Sequence, residues 1–409
     1  MKKYLVSTLK RYIPFLVISF AIFVAVTITL FSNVQVSYEY FKFGDEINAY
    51  NDLDGPSAMI IVLGVLLFGF TCVAPIIANS YRYSLRSADF YNQIGRRHRS
   101  VRLINNLVLL LAIIVSFTVA FILGISVLAI KNALVYNQGT VVTPMAYGEG
   151  ETISEPFMYH YAYFAPIYFI LLLGAVINFF ISYFLATRSN NALNSVITLV
   201  LGQVILFTGL MTPLWYVTVI TDGEFAINYL AGVKTPSFVA IVMWTVFLFG
   251  QVLKGEPFNK EIFKLTTKED TAGLVLVIVS LVLFFALGAY SIYKFLKEDE
   301  TSGEFAGKPQ GRDALQTIIF HVGAGIVGLW ELSMSAALND MILIQIVGIF
   351  SFIPSIIIFG ALYYVFYSLE RRNFRLTKKD LSILLPIFIT DVILGVASII
   401  VNSALYTEM

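Results

Sequence analysis

A long stretch of this chain without charged residues decides its fold class. Residues 103–130 read LINNLVLLLAIIVSFTVAFILGISVLAI, which is 28 residues without an acidic or basic side chain. A helix needs about 20 mostly apolar residues to cross the roughly 30 Å hydrocarbon core of a bilayer. The stretch is therefore predicted to be a membrane-spanning helix.

The composition extends this prediction to all 409 residues. Hydrophobic residues make up 58% of the chain, charged residues make up 13%, and the mean hydropathy is +0.80. A soluble domain carries about 25% charged residues, so we predict an all-α, polytopic helical membrane protein that contacts the lipid bilayer. The net charge of +1 gives no general attraction for nucleic acid, and no nucleic-acid partner is expected.

Nine apolar runs are long enough to be membrane spans. They occupy residues 12–31, 57–78, 103–130, 162–184, 193–220, 272–293, 315–332, 341–366 and 381–404. A shorter run follows Pro236, and the region near 236–253 is predicted to be a re-entrant or interfacial segment on the outer side. With this assignment and a cytoplasmic N-terminus, 20 of the 27 lysine and arginine residues lie in cytoplasmic segments, as the positive-inside rule prefers.

This assignment divides the chain into three parts. Residues 1–293 form a six-span core, residues 294–314 form a hydrophilic cytoplasmic linker, and residues 315–409 form a three-span C-terminal extension. The outer loops 32–56 and 131–161 are acidic and polar, and neither is large enough to be a receptor domain.

The cytoplasmic segment between the second and third runs combines aromatic and basic residues. Residues 80–102 read SYRYSLRSADFYNQIGRRHRSVR. Ser87 is a typical N-cap and Gly95 a typical C-cap, so a short helix is predicted near 84–95. The arginines are consistent with an anchor that meets lipid phosphates. The neighbouring aromatic residues favour a docking surface for a partner protein.

The string Ala88-Asp89-Phe90-Tyr91 resembles the coupling-helix segment of ABC-2 type ABC transporter permeases, most closely the Ytr-like group of low-GC Gram-positive bacteria. The family's Leu-Pro pair after this motif is Ile94-Gly95 here. Six spans with a re-entrant element before the sixth are also similar to the family's core. A further likeness to the family's Tyr–basic–Glu–Ala-Gly stretch is carried by Tyr290, Lys294, Glu304 and Ala306-Gly307-Lys308-Pro309.

The resemblance implies a half-transporter in the bacterial cytoplasmic membrane. A second permease chain, identical or paralogous, would complete the pathway, and two cytoplasmic ATPase subunits would bind ATP and Mg. The residues that the resemblance assigns to ATPase docking are Arg86, Asp89, Phe90, Tyr91 and Ile94. The low charge of the first six spans favours a hydrophobic or amphipathic substrate, such as a peptide, an antibiotic or a lipid-like molecule.

The chain itself is not expected to be an enzyme or to hold a cofactor. A Walker A loop requires Gly-x-x-x-x-Gly-Lys-[Ser/Thr], whose amides cradle phosphates. The nearest string, 303–309, is one residue short and places Pro309 where the hydroxyl residue belongs. One cysteine and three widely spaced histidines supply too few ligands of the usual kinds for a zinc site, and no metal site is expected.

Five polar or ionisable residues inside the predicted spans suggest alternative sites. Asp391, Glu331 and His321 lie in the C-terminal extension, where burial of a charge is costly and often functional. An ion-coupled secondary transporter using these three residues is therefore the alternative function, and a non-transporting scaffold or immunity protein is a third. Asn178 and Gln203 are more typical of hydrogen bonds between helices than of substrate ligands.

Overall fold

The computed structural model describes most of the first 300 residues and a few later positions. The described residues are 2–34, 36–43, 46–50, 54–80, 98–144, 150–156, 161, 164–187, 192–208, 237–238, 241–242, 245, 268–297, 361, 364–365, 368, 374–375, 385 and 389. In chain order the elements are α1 (Lys2–Asn33), β1 (Ser37–Phe43), β2 (Glu46–Tyr50), α2 (Asp54–Ala78), α3 (His98–Gln138), β3 (Val141–Pro144), β4 (Gly150–Pro156), α4 (Phe164–Ala186), α5 (Ala192–Thr208) and α6 (Lys268–Lys297).

Within these ranges, five helices are long and apolar enough to cross a membrane. They are Leu5–Asn33, Met59–Ala78, Ser100–Gln138, Phe164–Ala186 and Ile278–Lys297. Each coincides with a predicted apolar run, which confirms the multi-pass helical character. The fifth predicted run, 193–220, is represented by α5, whose apolar part is only Ser195–Leu206. The three C-terminal runs lie outside the described helices.

The third helix is much longer than a membrane crossing requires. With 41 residues at 1.5 Å per residue, α3 is about 61 Å long, roughly twice the hydrocarbon thickness. It continues past the predicted end at residue 130 and stops at Gly139, whose φ is +69°. The Gly139 amide donates to the Tyr136 carbonyl at 3.2 Å, so a left-handed glycine ends the helix.

A four-stranded antiparallel sheet occupies the two loops that we predicted to be polar and outside the membrane. The first loop contributes the hairpin β1–β2 and the second contributes β3–β4, in the strand order β2-β1-β4-β3. The central pair runs from Ser37↔Pro156 to Phe43↔Gly150. Sequence analysis missed this sheet. Its pairing places the two loops on the same side, as the two intervening crossings α2 and α3 require.

The chain divides into two compact units. Unit 1 comprises Met1–Ala74, Ile104–Phe179 and Ile241–Thr266, and unit 2 comprises Pro75–Leu103, Phe180–Ala240 and Thr267–Met409. Each unit has its own set of packed aromatic rings.

The core of unit 1 is built from phenylalanine rings on α1, α2 and α3. The Phe23 ring lies 5.0 Å from the Phe70 ring and 5.7 Å from the Phe117 ring, measured between centroids. Phe117 in turn stacks on Tyr168 of α4 at 5.8 Å. Such contacts between aromatic rings stabilise a core beyond the area they bury.

The core of unit 2 is centred on Phe295, near the end of α6. Its ring lies 5.1 Å from Phe180 and 4.8 Å from Tyr183, both on α4. Phe295 and Tyr183 are each 1% exposed. The last turns of α4 and α6 are therefore packed together.

A glycine allows close packing against the predicted re-entrant segment. A Cβ atom at Gly64 of α2 would lie 2.5 and 2.6 Å from the two Cγ atoms of Val242. Residues 237, 238, 241, 242 and 245, which are the described part of that segment, are all buried. A re-entrant segment must be buried by other helices, and these five residues are buried; the re-entrant path itself stays a prediction.

We predict that Gly64→Ala lowers the free energy of unfolding by about 1–3 kcal/mol, because the added methyl group overlaps Val242. The matched control is Gly69→Ala in the same helix, where nothing lies within 4 Å of the added carbon. Thermal unfolding of the purified protein in detergent measures the difference. Equal midpoints for the two variants would contradict the packing, and Val242→Ala is expected to restore part of the loss in the Gly64→Ala protein.

Candidate functional site

The residues that sequence analysis assigned to ATPase docking lie outside the described residues. The predicted helix near 84–95 falls in the interval between α2, which ends at Ala78, and α3, which begins at His98. Asp391, Glu331 and His321 are outside the described residues as well. The structure therefore describes the helices on both sides of the docking segment, together with the polar groups of the first six predicted spans.

Asn178 forms a hydrogen bond between helices in unit 1. Its Nδ2 donates to Thr71 Oγ1 of α2 at 2.8 Å and approaches Cys72 Sγ at 3.6 Å. Asn178 is 1% exposed and Thr71 is fully buried. Because a buried amide needs a partner, this contact fixes α4 against α2.

Gln203 forms a similar contact in unit 2. Its Nε2 donates to Ser182 Oγ of α4 at 3.1 Å, and both residues are buried. The sequence predicts that Asn178 and Gln203 form hydrogen bonds between helices, and in the described structure each donates one to a neighbouring helix. Sequence analysis could not identify Thr71 and Ser182 as their partners, because a hydroxyl residue in an apolar run carries no sign of what it contacts.

Two further hydroxyl pairs connect the helices of unit 1. The Ser19 and Ser116 hydroxyl oxygens lie 3.1 Å apart and join α1 to α3. The Thr118 and Tyr168 hydroxyl oxygens lie 2.7 Å apart and join α3 to α4. Interhelical hydrogen bonds of this kind add about 1 kcal/mol each inside a membrane.

Lys131 caps the carboxyl end of α1. Its Nζ donates to the Ser32 carbonyl at 2.6 Å and to the Val34 carbonyl at 2.7 Å. The last carbonyls of a helix have no partner within the helix and form the negative end of its dipole. An ammonium group at this position therefore stabilises the point where the chain leaves α1 and enters the sheet.

Arg102 is the largest fully buried side chain in the described part of the chain. Its Nη2 donates to the Phe295 carbonyl at 2.8 Å, and its guanidinium carbon lies 5.8 Å from the centre of the Phe295 ring. The sequence predicts that the basic cluster is either a lipid anchor or part of a docking surface. The lipid-phosphate interpretation is wrong for Arg102, because a residue that is 0% exposed does not reach a headgroup.

The last turns of α6 carry a second pair of cationic contacts. Lys294 Nζ lies 5.6 Å from the centre of the Tyr290 ring, and Lys297 Nζ lies 5.1 Å from the Tyr293 ring and donates to its hydroxyl at 2.6 Å. Tyr290 and Tyr293 are both about half exposed. Contacts between tyrosine and lysine side chains at the end of a span are typical of a membrane–water interface.

The described fold and contacts define a multi-pass helical membrane protein with a small extramembrane sheet. Among the described residues, no group of three or more histidine, cysteine, aspartate or glutamate side chains could hold a metal ion. Comparison with protein-family models, with curated proteins and with solved structures finds no match to this chain.

We predict a measurable coupling between Asn178 and Thr71. Asn178→Leu removes the amide that donates to the Thr71 hydroxyl, and Thr71→Val removes the hydroxyl that accepts from the Asn178 amide. The double variant loses both groups, so the two effects on the free energy of unfolding should differ from additivity by about 0.6–1.7 kcal/mol. Chemical unfolding in mixed micelles measures all four proteins, and additive effects would show that the bond contributes nothing.

We also predict that Lys131→Met lowers the free energy of unfolding by about 1–3 kcal/mol, because two helix-end carbonyls lose a charged donor. Lys131→Arg, which keeps a donor and the charge, should lose less. Lys10→Met on the exposed surface of α1 serves as the control for removal of a lysine charge. A melting temperature for Lys131→Met that matches the control would refute the capping role.

Proposed function

We propose that this chain is the transmembrane permease subunit of an ABC exporter of the ABC-2 type. In this proposal it has nine spans, a re-entrant segment near 236–253 and a cytoplasmic N-terminus in the bacterial plasma membrane. Separate ATPase subunits bind ATP and Mg, and the permease uses their movement for efflux of a hydrophobic or amphipathic substrate. A second permease chain, identical or paralogous, completes the pathway.

The observation that carries the proposal is the motif Ala88-Asp89-Phe90-Tyr91 in the segment between two apolar helices. α2 ends at Ala78 and α3 begins at His98, so the segment is a connection between spans. Successive crossings alternate in direction, and the sheet unites the loops that precede α2 and follow α3. This arrangement supports the proposal that the motif lies on the opposite side of the membrane, and its neighbouring arginines favour the cytoplasm as that side.

The mechanism asks of this chain only that it transmit a movement. ATP binding closes the ATPase dimer, the segment near 84–95 moves with the ATPase surface, and the helices attached to it tilt as rigid bodies. Long helices suit the transmission of movement because an α-helix keeps its length when one end is displaced. The energy comes from the partner, in agreement with the absence of a Walker A sequence from the chain.

The proposed hydrophobic or amphipathic nature of the substrate is supported by how the described polar groups are bonded. Asn178, Gln203 and Ser116 are buried within spans and form hydrogen bonds to other helices. Polar groups engaged in this way hold helices together rather than lining a hydrated path. Helices whose buried polar groups are bonded to one another suit a substrate that is itself hydrophobic or amphipathic.

We predict that Phe90→Ala combined with Tyr91→Ala reduces co-purification of the ATPase by about tenfold or more, because aromatic anchors dominate protein interfaces. The tagged chain is purified from its native membrane in mild detergent, and mass spectrometry identifies the proteins that accompany it. Asn92→Ala, which lies on the other side of the predicted short helix, is the matched control and should retain the partner.

The same purification separates the proposal from its alternatives. An ATPase with Walker motifs in stoichiometric amount supports the exporter. A chain that purifies alone from several mild detergents would refute it and would favour the ion-coupled transporter that uses Asp391, Glu331 and His321. Transport by that alternative would collapse when a protonophore removes the proton gradient, whereas ATP-driven efflux would not depend directly on the gradient.

A further inference from the structure

Three predicted cytoplasmic connections begin or end close to one buried cluster in unit 2. The cluster consists of Arg102, Phe180, Tyr183 and Phe295, and all four side chains are buried. Arg102 is the fifth residue of α3, Tyr183 lies three residues before the end of α4, and Phe295 lies two residues before the end of α6. The cluster therefore joins one end of each of three helices.

Arg102 holds Phe295 by two different attachments. Nη2 donates to the Phe295 carbonyl at 2.8 Å, and the guanidinium lies 5.8 Å from the centre of its ring. The Phe295 carbonyl is one of the last four of α6, which lack a partner within the helix. Because the backbone and the ring of one residue are both held, α6 has little freedom to rotate or slide relative to the start of α3.

A buried arginine is a costly way to cap a helix. Removing a guanidinium from water carries a large penalty, and an apolar residue of similar volume often serves stability as well or better. An uncharged cap or a glycine completes most helix ends. The cost is understandable if this contact must resist a force, since the guanidinium is planar and rigid and a charged hydrogen bond is stronger than a neutral one.

We infer that Arg102 is a positioning residue that passes a displacement of the amino-terminal end of α3 to the carboxyl-terminal end of α6. This inference rests on the proposed function, because the ATPase is the source of the movement. The docking segment 80–97 is followed directly by α3, which begins at His98. Arg102 therefore lies in the first two turns of the helix to which the segment is joined. Phe295 then carries the displacement to α6 through the carbonyl and to α4 through Phe180 and Tyr183.

Hydrogen exchange of the permease–ATPase complex, followed by mass spectrometry, tests the inference. Exchange is compared without nucleotide and with ATP plus vanadate, which traps the closed ATPase. In the wild-type complex we expect vanadate trapping to change exchange by about tenfold in peptides covering both 80–97 and 290–297. Arg102→Lys keeps the charge but loses the planar group and should retain the ATPase.

The decisive result is the pattern in the Arg102→Lys complex. We expect the response at 80–97 to persist and the response at 290–297 to fall below about twofold. Arg11→Lys is the control, because Arg11 also lies over a ring, that of Tyr12 at 5.6 Å, but is exposed. A purely structural role would raise exchange at 290–297 equally with and without nucleotide and would leave the response intact.

Other outcomes distinguish failure of the inference from failure of the proposed function. A wild-type complex that responds at 80–97 but not at 290–297 would overturn the inference and leave the exporter in place. If the wild-type chain purifies without an ATPase, the proposed function fails and the inference fails with it. If Arg102→Lys does not reach the membrane, Phe295→Leu is tested instead. It keeps the carbonyl that Arg102 binds and removes the ring that contacts Phe180 and Tyr183, so the response at 290–297 should persist while the response in peptides covering 180–186 is lost. An unchanged response in both places would overturn the inference.

Discussion

The constraint on which the described structure most depends is that the last carbonyls of a helix need donors where water is scarce. Every unsatisfied backbone group costs several kcal/mol in hydrocarbon. The longest helix, α3, supplies two of these donors from basic residues: Lys131 for the end of α1 and Arg102 for the end of α6. Each cation also meets the negative end of a helix dipole. The same residues therefore satisfy backbone carbonyls near the ends of two other helices.

Hydropathy predicted the helices because its signal is local and cumulative. The run 103–130 lies within α3, and four other runs also coincide with helices long enough to span. Hydropathy did not predict the ends, because a helix continues into polar sequence until something stops it. α1 begins at Lys2 rather than at residue 12 and contains Pro14 without ending there, whereas α3 stops only at Gly139.

The contacts that sequence analysis missed join residues that are far apart in the chain. β1 pairs with β4 across more than a hundred residues, and Arg102 meets Phe295 across 193. The alternation of aromatic and polar residues in 37–43, SYEYFKF, is a strand signal that composition obscured. Arg102 gave no such signal, because an arginine beside an apolar run reads equally well as a lipid anchor. Only the packing of α6 reveals its burial.

Hydrogen bonds between helices limit how the helices of this protein can move. Polar groups inside the described spans bind one another, as in Asn178–Thr71 and Gln203–Ser182, and they hold neighbouring helices together. Helices joined in this way tilt more readily as groups than singly, because each interhelical bond would otherwise have to break without water to replace it. In the proposed exporter, a force applied by the partner at the start of α3 would then displace more than one helix, and the nucleotide site would lie in the partner.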